Sequence, residues 1–220
     1  MLVPFFDIHA HRGAPHSAGA SVIYNVLPLH EKPTSVNTWI SLGLHPWYLT
    51  EENLESQMEV LAHHIDHAQV KLVGECGFDR LRGPAMPIQQ AAFERQAVLA
   101  VRHNKPMIIH CVRAFDELQS YGKRYAAKVP MIVHGFNKSP ALAGQLLRQG
   151  FYLSFGAAIM EETSNAAKTI RQLAPPFFLE TDDSGVNIQA IYEQAAFLRN
   201  MALDDLKDAI FASWKKIQLT

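Results

Sequence analysis

Five short apolar runs in this chain are each closed by a residue that can bind metal. They are Phe5-Phe6-Asp7-Ile8-His9, Lys71-Leu72-Val73-Gly74-Glu75, Pro106-Met107-Ile108-Ile109-His110, Pro130-Met131-Ile132-Val133-His134 and Phe177-Phe178-Leu179-Glu180-Thr181-Asp182. A strand buried on both faces reads as continuous hydrophobic sequence, and in a parallel barrel the functional residues sit at the carboxyl ends of the strands. The runs therefore predict a parallel sheet whose rim carries His9, Glu75, His110, His134 and Asp182, with His11 two residues beyond His9.

Three more runs, Ser21 to Val26, Thr38 to Leu44 and Phe151 to Phe155, bring the strands to eight. Amphipathic segments separate the later ones. Leu54, Met58, Leu61 and Ile65 recur at helical spacing after Thr50, a candidate N-cap. Ser139-Pro140 opens another helix and Gly150 closes it, as capping hydroxyl, first-turn proline and left-handed stop. The expected fold is α/β, a TIM-like (β/α)8 barrel made as one domain from residues 1–220. The ligand intervals agree: 35 residues from Glu75 to His110, 24 to His134, then 48 to Asp182 with one strand between. A barrel spends roughly 30 residues on each unit, so these are one, one and two units.

The first third departs from this rhythm. Only residues 10–20 and 28–36 connect the first three strands, and both stretches contain proline or glycine. A parallel crossover usually needs about a dozen residues or more, normally with a helix. Helices are therefore expected to be missing or reduced around those strands. The exposed apolar wall would be covered by C-terminal helices carrying Ile191, Ala195, Leu198, Ile210, Phe211 and Trp214, or by a second copy in a homodimer.

Composition limits the partners. Lys plus Arg number 20 against 21 Asp plus Glu, a net charge of -1, so a polyanion must be held by local groups or by metal. No apolar stretch approaches the roughly 20 residues of a membrane span. Met1-Leu2-Val3-Pro4 lacks a basic leader region, and Cys76 and Cys111, each following a ligand in a strand, are read as packed thiols. Both readings lead to an expected cytoplasmic location with no membrane partner.

The ligand types form a chemical set. His9 and His11 are two apart on a strand end, so they share a face and can bind one ion together. Glu75 has two oxygens and can bridge two ions, His110 and His134 supply the second, and Asp182 returns to the first. Two ions about 3.5 to 4 Å apart activate a water and stabilise a leaving oxygen, which suits attack on a phosphodiester. Four imidazoles and two carboxylates suit zinc or manganese better than magnesium; the identity of the two divalent ions stays open among Mg, Mn and Zn.

Asp7-Ile8-His9-Ala10-His11, Gly43-Leu44-His45-Pro46, Gly74-Glu75-Cys76-Gly77-Phe78-Asp79, Ile109-His110-Cys111, His134-Gly135-Phe136 and Leu179-Glu180-Thr181-Asp182 resemble, in order, the successive motifs of TatD-type metal-dependent deoxyribonucleases. The resemblance runs from residue 5 to residue 182. It implies a TIM-like barrel, up to two or three divalent ions, and hydrolysis of DNA, often as a 3′-to-5′ exonuclease on single strands. It carries the metal ligands onto His9, His11, Glu75, His110, His134 and Asp182; separately, the residues themselves are read with Asp182 orienting the water and taking its proton and Glu75 as the second catalytic carboxylate. The chain departs from the family at Arg80, where an aromatic is usual, at Val112-Arg113, where the arginine comes one residue late, and at Asp183-Ser184-Gly185, where the loop is shortened. These departures bear on the substrate more than on the metal.

Substrate contacts are expected from His45, Arg80 and Arg113. His45 reads equally as a phosphate contact or as the cap of the turn before Pro46. Arg12, Arg80, Arg82 and Arg113 follow ligand-bearing strands, where each is either a phosphate grip or a loop ion pair. Trp47 and Tyr48 either stack a base or plug the barrel mouth. His63, His64 and His67 read as a solvated helix face, and His16, His30 and His103 as partnerless surface residues. Asp7 is expected to brace the site through hydrogen bonds. The leading function is phosphodiester hydrolysis of single-stranded DNA or a related substrate. The alternatives are an amidohydrolase or lactonase acting on a small molecule, and an inactive metal-binding scaffold.

Overall fold

The computed structural model describes residues 3–13, 17–29 and 38–220. In chain order its elements are β1 (Phe6–Ala10), β2 (Ser21–Val26), β3 (Trp39–Leu42), α1 (Leu54–His64), β4 (Val70–Asp79), α2 (Met86–Arg102), β5 (Met107–Val112), α3 (Phe115–Tyr125), β6 (Met131–Val133), α4 (Pro140–Arg148), β7 (Phe151–Phe155), α5 (Asn165–Gln172), β8 (Phe178–Leu179), α6 (Ile188–Arg199) and α7 (Leu203–Lys216). The strands follow one another from β1 to β8 in a single sheet. The pairs β1–β2, β3–β4, β4–β5, β5–β6 and β7–β8 are parallel. Sequential parallel strands with helical crossovers are the topology of a (β/α)8 barrel.

Among the described residues no helix precedes Trp39, and the first crossover helix is α1. The short first connections account for this; residues 14–16 and 30–37, which include His16 and His30, lie outside the described residues. Two details differ from the expectation. Strand β4 continues through Asp79, so Glu75 lies in mid-strand rather than at its end, beside a register shift between Val73 and Cys76. Helix α1 begins at Leu54, not next to Thr50. Thr50 and Asn53 instead bond reciprocally, Thr50 N to Asn53 Oδ1 at 2.9 Å and Asn53 N to Thr50 Oγ1 at 3.2 Å, which closes a turn ahead of the helix.

The chain divides into two compact units: Met1–Tyr24 with His134–Arg148 and Tyr152–Thr220, and Asn25–Val133 with Gln149–Phe151. In the first unit the C-terminal helices pack on β1, one of the two coverings expected. Phe6 stacks on Phe211 with centroids 5.4 Å apart and meets Trp214 at 4.8 Å. The buried Tyr192 hydroxyl accepts from Phe6 N and donates to Phe6 O, both at 3.0 Å, so a side chain stands in for a neighbouring strand. Tyr192→Phe leaves both backbone groups buried without that partner. It is expected to lower stability by about 1–3 kcal/mol, read as a lower urea midpoint at unchanged slope.

In the second unit α2 does the same service twice. Its buried Gln96 accepts from Leu44 N at 2.7 Å and donates to Leu44 O at 3.3 Å. Gln89, two turns earlier, accepts from Asp79 N at 2.8 Å and donates to Asp79 O at 2.9 Å. Where β3 and β4 run out of strand partners, these amides satisfy the backbone. His45 and Asp79 are held in place as a result.

Candidate functional site

In the first unit, two backbone bonds build the acid–imidazole cluster. Asp182 N donates to His9 O at 2.9 Å and His11 N donates to Asp182 O at 3.0 Å, which makes Ala10 and Asp182 a parallel bridge. The bridge sets Asp182 beside both histidines, with Oδ1 3.5 Å from His9 Nε2 and 3.4 Å from His11 Nε2. Asp182 has φ +54°, a left-handed conformation that aspartate tolerates better than most residues. Burial alone would raise its pKa, but hydrogen bonds from His11 and His9 outweigh that and hold the carboxyl well below its usual range.

Beneath this cluster, Asp7 Oδ1 accepts from His9 N at 3.3 Å and Thr181 N at 3.1 Å, while Oδ2 accepts from the Thr181 hydroxyl at 2.7 Å. The bracing expected of Asp7 is thus a link between the strand bearing His9 and the segment bearing Asp182. Burial pushes the Asp7 carboxyl up to about 7, against the opposing pull of the Thr181 bonds. The His134 ring lies 4.6 Å from that of His9, and its Nδ1 is 3.6 Å from Glu180 Oε1. Glu180 is fully buried; Oε1 accepts from Gly135 N at 2.5 Å, whereas Oε2 has no hydrogen-bond partner among the described residues.

In the second unit, Glu75 is the hub. Its Oε1 lies 3.0 Å from His45 Nε2 and 2.9 Å from His110 Nδ1. Asn25 grips it twice, accepting from Glu75 N at 3.1 Å through Oδ1 and donating to Glu75 Oε2 at 3.4 Å through Nδ2. His110 Nε2 is 3.1 Å from Asp79 Oδ2, which also accepts from Trp47 Nε1 at 2.6 Å. Burial would raise the Asp79 pKa, yet the hydrogen bonds from Trp47, His110 and the Leu81 and Arg82 amides lower it overall. His45 Nδ1 accepts from Trp47 N at 3.0 Å, so the cap expected for the turn before Pro46 is present. An imidazole accepting at Nδ1 carries its proton at Nε2, which makes His45 a donor to Glu75 rather than a metal ligand.

The other candidates separate clearly. Arg80 makes a two-pronged ion pair with Asp116, at 2.7 and 2.8 Å, and donates to Arg113 O at 3.0 Å. Arg113 and Arg12 have exposed side chains. His63 and His67 are exposed around a half-buried His64. His103 is not partnerless, since its Nδ1 lies 2.7 Å from Asp66 Oδ1. Cys76 and Cys111 are free thiols, and burial pushes the Cys76 thiol up.

Three residues escaped the sequence reading as parts of the site. Asp79 and Glu180 stood inside quoted motifs, and a carboxylate in an apolar run was the available signal. Asn25 had a fainter one, a single amide in Ser-Val-Ile-Tyr-Asn-Val.

These donors suit divalent metal. Within each of the sets His9–His11–Asp182 and His134–Glu180–Asp182, one ligand atom per residue lies within 4.8 Å of the others, and Glu75 and His110 meet as closely with His45 bound to Glu75 as a donor. Imidazoles with ionised carboxylates match zinc and manganese, and a fully buried carboxylate oxygen such as Glu180 Oε2 is costly without a cation or donor. Asn25→Ala removes both grips on Glu75. It is expected to weaken zinc binding by about 10–100-fold in calorimetric titration while the fold is retained.

Comparison with known proteins gives the same direction. The TatD related DNase family matches residues 20–217. A protein named uncharacterized metal-dependent hydrolase YjjV, from Escherichia coli K12, is 30% identical over 208 residues, covering 83% of this chain and 80% of the relative. The 3′-5′ ssDNA/RNA exonuclease TatD of Edwardsiella piscicida is 30% identical over 153 residues, 66% of this chain but only 57% of the exonuclease. The crystal structure of the E. coli YjjV protein, a TatD homolog, superposes with a TM-score of 0.81 at 23% identity, covering 99% of this chain and 98% of that one. With its strand order and the extent of the family match, the chain belongs to the TatD family of metal-dependent hydrolases.

Proposed function

We propose that this chain hydrolyses phosphodiesters of single-stranded DNA, in the 3′-to-5′ direction, with two divalent ions. The observation carrying this reading is the ionised Asp182 carboxylate held against His9 and His11, with a further acid–imidazole cluster on Glu75 and His110. The 3′-5′ ssDNA/RNA exonuclease name borne by several relatives supports the substrate.

The six ligands are His9, His11, Glu75, His110, His134 and Asp182. When bound, divalent ions neutralise phosphate charge and acidify a coordinated water toward a pKa of about 7. The protein's own groups orient the reaction. Asp182 Oδ1 is engaged by the two histidines, which leaves Oδ2 to align the attacking water and take its proton. Glu75 is the second catalytic carboxylate, held in one orientation by Asn25 and by His45 Nε2–H. Asp79 fixes the His110 ring through Nε2, so that Nδ1 is the nitrogen turned toward Glu75.

The test is reconstitution with zinc, manganese or magnesium in fractional equivalents, with turnover followed on bis(p-nitrophenyl) phosphate, a lactone and a cyclic imide. The reading expects phosphodiester turnover that rises until two ions are bound. Turnover on the lactone or imide alone would replace it with small-molecule amidohydrolase or lactonase chemistry. Tight metal binding with no turnover on any substrate would make the protein a scaffold.

A further inference from the structure

Of the arginines near the second unit's cluster, the geometry sets Arg82 apart. Its guanidinium carbon lies 4.0 Å from the centre of the Trp47 ring, a cation–π contact, and among the described residues it makes no ion pair or side-chain hydrogen bond. Arg80, two residues earlier, is spent on Asp116 and on the Arg113 carbonyl. A guanidinium stacked on an indole keeps its in-plane N–H donors directed outward, which is the geometry that grips a phosphate through two bonds.

The platform under Arg82 is rigid. The Trp47 indole N–H is fixed by Asp79 Oδ2 at 2.6 Å, and Asp79 Oδ1 accepts from Leu81 N at 2.7 Å and Arg82 N at 3.0 Å. Gly83, at φ +108°, packs so closely on the turn holding Trp47 that a Cβ there would lie 2.6 Å from the Pro46 carbonyl oxygen. Gln89 ties down Pro84 O at 2.8 Å. One carboxylate thus organises the indole, the Arg82 backbone and the His110 ring together. Trp47 meets His110 at 5.5 Å between centroids, so the indole contacts both Arg82 and the ligand histidine.

We propose that Arg82, seated on Trp47, binds a phosphate flanking the one being cleaved, so that the preferred substrate is a strand with several phosphates and not a lone phosphodiester. The inference rests on the phosphodiesterase reading and names the substrate class for that site. The contacts explain the choice of a flanking phosphate, because the guanidinium rests on the indole while His110 and Glu75 bond to each other. The strand is thereby held by a positioned cation in a chain whose net charge is only -1.

The test is binding of a fluorescein-labelled phosphorothioate 10-mer, which resists hydrolysis, to the metal-loaded full-length protein, the Arg82→Ala variant and the Arg82→Lys variant. Arg82→Ala is expected to weaken binding about tenfold, the loss of one charge-assisted contact. It should also flatten the slope of log affinity against log salt by about 0.7, the single-strand value for one phosphate. Arg82→Lys should recover the salt slope but only part of the affinity, since charge returns without the planar stack. In parallel, KM for bis(p-nitrophenyl) phosphate, which has a single phosphate, should be unchanged in Arg82→Ala. Equal 10-mer binding by wild type and Arg82→Ala would overturn the proposal, as would an equal loss on both substrates, which places Arg82 at the reacting phosphate or in a structural role. Wild-type protein that binds the 10-mer through Arg82 yet cleaves no phosphodiester would sink the catalytic reading, and with it the flanking position, and leave Arg82 only as a phosphate contact to a bound strand.

Discussion

Gly77→Ala is expected to destabilise the protein by roughly 2–6 kcal/mol, a strain term and an overpacking term of about 1–3 kcal/mol each. Gly77 has φ +145°, and a Cβ there would lie 2.0 Å from the His110 carbonyl oxygen. That oxygen belongs to backbone and cannot swing away. Pairing of Gly77 with His110 across β4 and β5 puts the clash on the strand that carries a candidate ligand. Against a total stability of about 5–15 kcal/mol the effect is large enough to unfold much of the population near body temperature. Thermal and urea unfolding measure the loss. Metal titration of whatever folded protein remains should show weakened binding, because relief of the clash must move His110 or Glu75. An alanine variant as stable as wild type would mean that the two strands approach less closely than described.

Asp182→Asn has a different profile, with its largest effect on turnover and the backbone of the site retained. Asparagine keeps the size and also tolerates the left-handed φ of +54°, and the bonds from Asp182 N to His9 O and from His11 N to Asp182 O involve only backbone. What disappears is a carboxylate whose Oδ1 lies 3.5 Å from His9 Nε2 and 3.4 Å from His11 Nε2 and which, in the proposed reaction, takes a proton from water. A positioned general base contributes about 10²–10⁴-fold, so kcat should fall by that factor in a variant that stays folded, with an unfolding midpoint lowered at neutral pH because the native state favours the ionised carboxylate. Retention of full turnover would remove Asp182 from the reaction.

The legible parts of this molecule are those in which burial restricts the choice of residue. An apolar run tolerates few polar groups, so His9, His110, His134 and Asp182 stood out, and the structure places them at or near the ends of their strands. Glu75 was recognised but misplaced, because Cys76 and Phe78 continue the burial of β4 beyond it. Short connections marked the absence of helices before β3, since crossover length is a matter of reach. The details of positioning were hidden for a different reason. Asn25 and Glu75 are 50 residues apart and meet only once β2, β3 and β4 are in place. Arg80 and Arg82 look alike in the sequence; one is separated from the other by Asp116, 36 residues downstream of Arg80, and by the ring of Trp47. Tertiary partners decide which of two equivalent residues is left to meet a substrate.

The most direct test of the account is cleavage of end-labelled single-stranded DNA by metal-reconstituted protein, beside the same protein in chelator and the Asp182→Asn variant. The account predicts a ladder of products shortening from the 3′ end, absent in chelator and lost in Asp182→Asn while that variant stays folded. Intact DNA with metal-loaded, folded wild type, or a ladder that survives the loss of the Asp182 carboxylate, would contradict it.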